Sequence, residues 1–176
     1  RESKLEWEKP ISLISFKNTV RWDSSNKNAY KSYCFVYFSS FASTSSPFNV
    51  LTTPTAFNNP RRISTGLEYN KLILLMAVLE KKAGYLLQQQ DVYVKVSGGV
   101  KIDDPAVDLG VIMAVASSFK DMAVNMNDCF IGEVGLTGEV RRVSRIEQRI
   151  NEAKKHGFKR VIVPIGNMKN SDFLDG

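Results

Sequence analysis

Residues 96–109 read VSGGVKIDDPAVDL and mark the change from a predicted strand to the most apolar predicted helix of the chain. Apolar and polar residues alternate from Asp91 to Ser97, which predicts a half-buried strand, and Gly98-Gly99 ends it. Pro105 is favoured in the first turn of a helix, so a helix is predicted from Pro105 to about Phe119. Apolar residues surround this helix almost completely. We therefore expect it to be the central buried helix.

Upstream of this stretch, a second helix is predicted from about Glu68 to Lys82, and Gly84 is its stop signal. Five apolar residues fall on one face of that helix: Leu72, Leu75, Met76, Leu79 and Ala83. Pro54, Pro60 and the asparagines between them predict an extended loop that carries Arg61 and Arg62.

Downstream, the pattern predicts a β-hairpin followed by a helix and a strand. Cys129–Val134 and Glu139–Val143 read as the two hairpin strands, joined by a turn at 135–138. Ser144-Arg145-Ile146-Glu147 has the form of a capping box at a helix start. The helix ends at Gly157, and residues 158–164 read as a strand. Three residues of the helix are expected to face inward: Ile146, Ile150 and Ala153. Three arginines are expected to lie away from the core: Arg142, Arg145 and Arg149.

Composition indicates a soluble domain with a basic segment. The 176 residues are 43% hydrophobic and 24% charged, and they contain no apolar run of membrane-spanning length. The two cysteines, Cys34 and Cys129, have no partners at metal-ligand spacing, so a reducing cytoplasm and no metal site are expected. Net charge is +6, and residues 139–160 hold eight basic residues against three acidic ones. Such a cluster is either a DNA-facing surface or a solvated helix face.

The first 49 residues do not share these regular patterns. They hold both tryptophans and show no sustained period of 3.6 or 2. They can be read as an irregular arm, as an organellar targeting segment, or as translated sequence foreign to the domain. Glu2, Glu6, Glu8 and Asp23 weaken the targeting interpretation, and the foreign-sequence interpretation is favoured.

Two long motifs carry a family resemblance. The stretch 96–109 and residues 131–149, IGEVGLTGEVRRVSRIEQR, resemble the C-terminal domain of the RadA (Sms) family of bacterial DNA repair proteins. NPRR at 59–62 and LMAVLEK at 75–81 match the same family. The similarity spans about residues 50–170. It implies an α/β (α+β) fold of the ribosomal protein S5 domain 2 type, as in the Lon proteolytic domain, over residues 50–176, with the C-terminal end of the domain truncated.

The resemblance also implies that this domain is not a peptidase. Lon-type peptidases place a serine nucleophile at the start of the buried helix and a lysine base on the later helix. The matching positions here are Ala106 and Glu147. Alanine has no hydroxyl to attack a carbonyl. A peptidase with an altered site remains an alternative, and it would need another serine.

RadA proteins are similar to ring-forming ATPases that act on branched DNA, with a zinc finger and an ATPase domain towards the N-terminus. The 176 residues contain neither a phosphate-binding loop nor four cysteines, so ATP with Mg²⁺ and zinc are expected only in those other domains. The role implied here is non-catalytic: hexameric ring assembly and contact with single-stranded or branched DNA. Six candidate DNA-binding residues follow: Arg61, Arg62, Arg141, Arg142, Arg145 and Arg149. A purely structural interface, with Asp103, Asp104 and Asp108 pairing with a neighbour's basic residues, is a further alternative. A metal at these acids is not expected, because acids are favoured at helix starts without one.

Overall fold

The computed structural model describes residues 48–56, 59–122, 124–125 and 127–168. The interpretation of the N-terminal segment as foreign sequence, Cys34 and the expected C-terminal truncation therefore lie outside the described residues. Over the described part the chain is a mixed α/β structure with small sheets.

The largest sheet has three strands in the order β1, β3, β2. These strands are β1 (Phe48–Pro54), β2 (Arg62–Thr65) and β3 (Gln90–Val96). β1 runs antiparallel to β3, and β2 runs parallel to β3. The predicted strand at 91–97 is confirmed as β3. The predicted loop is confirmed over its described interior, residues 55–56 and 59–61, but its two end residues belong to strands: Pro54 ends β1 and Arg62 begins β2.

Two helices pack on one face of this sheet. Helix α1 (Tyr69–Ala83) buries all five residues predicted for its inner face, and Gly84 ends it in a left-handed conformation (φ 71°). Helix α2 (Asp108–Lys120) is buried almost throughout its first eight residues, which confirms the predicted central helix. Pro105 opens a 3₁₀ turn, Pro105–Val107, directly before α2. The side chain of Asp104 caps that turn by accepting from the Ala106 N–H at 2.8 Å.

The second half consists of short paired strands. β4 (Asp128–Phe130) pairs in parallel with β7 (Arg160–Ile162), and β5 (Glu133–Val134) pairs antiparallel with β6 (Val140–Arg141). The hairpin is confirmed, but the single strand predicted over Cys129–Val134 was wrong: it divides into β4 and β5. The predicted strand at 158–164 is likewise reduced to the three residues of β7.

Gly132 explains the break between β4 and β5. Its N–H donates to the Ala106 carbonyl at 2.8 Å, and its own carbonyl accepts from the Leu109 N–H at 3.0 Å. A Cβ at this position would lie 2.7 Å from Val140 Cγ1. The chain here is docked against the start of α2, so its backbone groups serve that helix instead of continuing the strand.

Helix α3 (Ile146–Lys155) and the short helix α4 (Ile165–Met168) complete the described chain. Ala153 is fully buried, with Ile146 and Ile150 packed beside it, as predicted. The capping box at Ser144 was wrong: the N-cap is Arg145, in a left-handed conformation (φ 55°), and it makes no side-chain cap hydrogen bond. The preceding backbone is held instead by Asn167, whose amide exchanges hydrogen bonds of 3.0 and 2.9 Å with Val143.

Two hydrophobic clusters form the interior. The main core lies between the three-stranded sheet, α1 and α2. The second core is smaller and lies between the start of the 3₁₀ turn, β4 and α3; its buried members are Ala106, Cys129, Ile131, Val143, Ala153 and Val163. Across the described ranges, no helix combines the length and apolar character needed to cross a bilayer.

Candidate functional site

Ala106, the residue that the family resemblance aligns with the Lon nucleophile, belongs to the second core. It is 3% exposed, and its backbone N–H and carbonyl are both hydrogen-bonded, to Asp104 and Gly132. Its methyl group therefore packs within the protein instead of facing a substrate groove. Glu147, the residue that the same resemblance aligns with the Lon lysine, is exposed on the first turn of α3.

Close in sequence to Ala106 and Glu147, Asp104 and Arg149 form an ion pair. Arg149 on α3 donates to Asp104 Oδ2 at 2.6 Å, and its Nε donates to the Ser144 carbonyl at 3.0 Å. The Arg149 side chain is only 13% exposed. Asp104 thus caps the 3₁₀ turn with one oxygen and holds α3 with the other. Of the six candidate arginines, Arg149 is the one most clearly used to join two elements.

A second ion pair lies at the start of α2 and was not anticipated as a pair. Asp108 is 5% exposed, and its carboxylate accepts from Lys71 Nζ at 2.9 Å and from the Val134 N–H at 3.3 Å. Burial raises the pKa of the Asp108 carboxyl, while the Lys71 hydrogen bond opposes that shift. Asp104 and Asp108 are therefore both engaged inside the chain. Only Asp103 of the three acids is exposed.

Arg141, the last residue of β6, is exposed and lies beside two glutamates, Glu133 and Glu139. Its Nε donates to Glu139 at 2.8 Å, and a terminal nitrogen lies 3.5 Å from Glu133. Glu139 also accepts a hydrogen bond from the Thr137 hydroxyl. The Thr137 hydroxyl first, and then the glutamate's other hydrogen bonds and Arg141, lower the pKa of Glu139 to about 2. The positive charge of Arg141 is thus partly neutralised within the hairpin.

Arg142 and Arg145 differ from these engaged arginines. Both are exposed, and within the part of the chain that the structure describes neither takes part in an ion pair. The aliphatic part of Arg142 lies against Gly166 of α4, where an added Cβ would be 2.6 Å from Arg142 Cγ. Their guanidinium groups are consequently available to an anion from solution.

Arg61 and Arg62 lie at the three-stranded sheet, Arg61 just before β2 and Arg62 as its first residue. Arg62 is half-buried and donates to the Leu87 carbonyl at 2.7 Å and to the Gln90 carbonyl, tying β2 to the chain before β3. Arg61 is exposed, and its backbone N–H donates to Asp91 Oδ1 at 2.7 Å. Arg141, Arg142, Arg145 and Arg149 lie within nine residues of the sequence, whereas Arg61 and Arg62 make their described contacts with residues 87–91.

Two serines, Ser117 and Ser118, have structural contacts. The Ser117 hydroxyl donates to the Met122 carbonyl at 2.5 Å, and the Ser118 hydroxyl accepts from the Thr52 N–H at 2.9 Å. Each thus helps to close a helix end or attach a strand. Among the described residues, no group of three or more His, Cys, Asp or Glu side chains is placed to hold a metal ion.

The chain shares its sequence pattern with a known protein family. The family model for subunit ChlI of Mg-chelatase matches residues 74–167, more than half of the chain, from α1 into α4. The chain belongs to that family.

Among individual proteins, the chain is similar to proteins named DNA repair protein RadA. It is 64% identical to that of Bacillus subtilis and 60% identical to that of Halalkalibacterium halodurans, each over 118 residues, which are 67% of this chain and 26% of the relative. It is 61% identical to that of Streptococcus pneumoniae over 114 residues, 65% of this chain and 27% of the relative. The chain spans about a quarter of the length of these curated relatives. Their name is the one to which the motifs at 96–109 and 131–149 pointed.

Proposed function

We propose that this chain is a non-catalytic, Lon-type domain of the S5 domain 2 class that contributes DNA contact and ring assembly to a RadA-type DNA repair protein. The ATP-driven step belongs to an ATPase domain outside these 176 residues. The observation that carries the proposal is the pair Arg142 and Arg145, exposed and without an ion pair among the described residues. Because the relatives are named DNA repair protein RadA, we take the anion bound by these arginines to be a nucleic acid.

The contacts rank the six candidate arginines within this proposal. Arg142 and Arg145 come first, because no acid among the described residues pairs with them. Arg141 is exposed in the same segment and can add to this charge, although Glu139 already accepts from it. Arg61 is exposed at a different place, just before β2 and beside Asp91. Arg62 and Arg149 are held by carbonyls and by Asp104, so their contribution is to position the strands and α3.

A peptidase function has no support at its decisive position. Reviving it would need a hydroxyl nucleophile with a base beside it, and Ala106 offers only a methyl group inside the second core. The purely structural alternative is also weakened. Asp104 and Asp108, two of the three acids it requires, already pair with Arg149 and Lys71 of the same chain.

A titration of nucleic-acid binding tests the proposal. We would measure the fluorescence anisotropy of a labelled single-stranded oligonucleotide with the 176-residue chain at 50 and 200 mM salt. The Arg142→Ala/Arg145→Ala variant should bind about tenfold or more weakly at the lower salt. Its salt slope should be smaller by about 0.7 for each phosphate that the variant no longer neutralises.

The matched control is Lys81→Ala/Lys82→Ala, which removes the same charge from the last turn of α1. It should change the affinity by less than about twofold, since long-range charge alone is screened at these salt concentrations. Equal losses in the two variants would reject a local site. Light scattering of the chain with and without the oligonucleotide tests the ring-assembly part of the proposal. At least one of the two samples should contain particles larger than a single copy of the chain.

A further inference from the structure

The outer face of the three-stranded sheet, opposite α1 and α2, presents three cross-strand rows. Side chains of paired residues point to the same face, and the inner face is marked by buried Val50, Val92 and Val94. The outer rows are therefore Asn49, Lys95 and Thr65; then Leu51, Tyr93 and Ile63; then Thr53, Asp91 and Arg61, which precedes β2. We call these nine residues the outer sheet face.

The middle row of the outer sheet face is apolar and open to solvent. Leu51 is 55% exposed, Ile63 is 48% exposed, and Tyr93 between them is partly exposed. Neighbouring strands lie about 4.8 Å apart, so the row is about 10 Å long. Three aligned large side chains on an exposed sheet face form a patch that calls for a partner, because isolated exposed apolar residues are ordinary but contiguous ones are not.

The two rows that flank the apolar row on the outer sheet face carry positive charge. Lys95 is exposed on one side of the apolar row and Arg61 on the other. Asp91 is the one acidic residue of the nine, and it is 6% exposed. Its carboxylate is turned to the Arg61 N–H, at 2.7 Å, and to the Tyr93 hydroxyl, at 3.4 Å. The exposed charged side chains of the outer sheet face are Lys95 and Arg61. Part of the Arg61 charge acts on Asp91, whereas Lys95 takes part in none of the ion pairs among the described residues.

We propose that the outer sheet face binds single-stranded nucleic acid, with an unpaired base stacked on Tyr93, its neighbours against Leu51 and Ile63, and Lys95 and Arg61 near phosphates. An aromatic side chain in an apolar row flanked by cations is the chemistry that unpaired bases and their backbone require. A duplex does not satisfy it, because its bases are already stacked on one another. A length of about 10 Å suits two or three bases.

A second copy of the chain fits this face less well. Two outer sheet faces packed together would bring Lys95 and Arg61 of one copy towards the same cations of the other, with Asp91 buried in each. Like charges held close across an interface are destabilising. A polyanion instead neutralises them. The inference rests on the proposed function in that both take the ligand to be nucleic acid, but it assigns a second surface that does not include Arg142 or Arg145.

Binding of a labelled 20-nucleotide single strand and of the matching duplex, measured by anisotropy, tests the outer sheet face. Tyr93→Leu keeps the apolar row but removes the ring. It should weaken single-strand binding about fivefold or more, in line with the energy of one base on an aromatic side chain. It should leave duplex binding unchanged. Tyr93→Phe should bind the single strand like the native chain, and the salt slope should be the same in all three proteins, because no charge changes.

Leu51→Ser and Leu74→Ser form a matched pair, since both leucines are about half exposed, the first on the outer sheet face and the second on α1. Only Leu51→Ser should weaken single-strand binding. Circular dichroism and thermal melting establish that each variant is folded. Native-like single-strand binding by folded Tyr93→Leu would overturn the inference and leave the proposed function to the Arg142 and Arg145 result. Absence of binding by the native chain would overturn both. If Tyr93→Leu or Leu51→Ser changes the particle mass in light scattering but leaves the single-strand affinity unchanged, the face would instead serve self-association.

Discussion

The two halves of the described chain are stabilised in different ways. The half built on β1, β2, β3 and α1 is held by apolar packing in the main core, and its helix faces follow the sequence periodicity closely. The half from β4 to α4 has strands of two or three residues, which place Phe130, Val134 and Ile162 in the main core, and it forms much of the smaller second core. Ion pairs add to this packing: Arg160–Asp128 joins β7 to β4, and Arg149–Asp104 attaches α3 to the 3₁₀ turn. A basic segment is therefore not automatically a binding surface, because part of its charge holds the structure together.

Arg160 and Arg142 show this difference within the second half. Arg160 makes two hydrogen bonds, 2.8 and 2.6 Å, to Asp128, which is 2% exposed, and so joins β7 to β4. Arg142 has no ion pair among the described residues. Two arginines of the same basic segment thus have opposite uses.

The largest expected effect breaks the main core. Leu72→Ala removes a fully buried side chain from α1 and should lower the free energy of unfolding by about 2–5 kcal/mol. Ile146→Ala, in the partly exposed rim of the second core, should cost about 1 kcal/mol, because less surface is withdrawn from water there. Urea denaturation measures both. Equal costs would mean that the second core contributes as much as the main core.

The next effect breaks an ion pair of the second half. Arg160→Ala leaves the buried Asp128 carboxylate without its partner and should cost about 2–3 kcal/mol, at or below the lower end for buried pairs because Arg160 is partly exposed. Arg142→Ala, the matched control, should change the free energy of unfolding by less than about 0.5 kcal/mol. A destabilised Arg142→Ala with a native-like Arg160→Ala would reverse the assignment of structural and solvent-facing arginines.

A smaller effect separates stability from binding at one residue. Arg145 has φ 55°, a conformation that costs a non-glycine residue about 1–2 kcal/mol. Arg145→Gly should therefore raise the free energy of unfolding by up to about 1 kcal/mol, after the added freedom of the unfolded chain is counted. It should also weaken single-strand binding. The same denaturation and anisotropy measurements check it, and Arg145→Ala, which keeps the strain, should show only the weaker binding.

The smallest effect concerns the hairpin and pH. The pKa of Glu139 is lowered to about 2 from 4.5, so its hydrogen bonds stabilise the hairpin above pH 4.5, and this stabilisation disappears as the pH falls towards about 2. Because the group is solvent-exposed, we expect only a local change. Amide chemical shifts of Thr137 and Gly138, followed by NMR from pH 6 to 2, should titrate with a midpoint well below 4.5. In Glu139→Gln this titration should be absent, and a midpoint at 4.5 in the native chain would contradict the prediction.

Sequence patterns predicted the long elements well and the short ones poorly. Helices α1 and α2 and strand β3 span enough residues for the apolar period to be read, and their bounds are within a few residues of the prediction. β1 and β2 escaped because the first begins in a stretch without a sustained pattern and the second has only four residues. The capping box failed for a different reason. Ser144 and Glu147 have the right spacing, but Asn167 and Arg149, which lie outside the capping pattern, hold the backbone there.

The candidate site likewise combines features that can be read from the sequence with features that cannot. The absence of a hydroxyl at Ala106 and the presence of the arginines are properties of the residues themselves and need no coordinates. Which arginines are engaged could not be read from the sequence, because their partners Asp104 and Asp128 lie 45 and 32 residues away from Arg149 and Arg160. The apolar row of the outer sheet face was missed because it is assembled from three strands, two of which were not predicted.

The sequence was enough to predict helices α1 and α2, the central buried position of α2, the alanine at position 106 and the total positive charge. These follow from local periodicity and from side-chain chemistry, which are encoded within a few neighbouring residues. The division of charges between internal and solvent-facing positions, and the set of residues on the outer sheet face, depend on the packing of the elements. Ion pairs and cross-strand rows join residues far apart in the chain, so their formation depends on how the elements pack and not on the order of residues within any one of them.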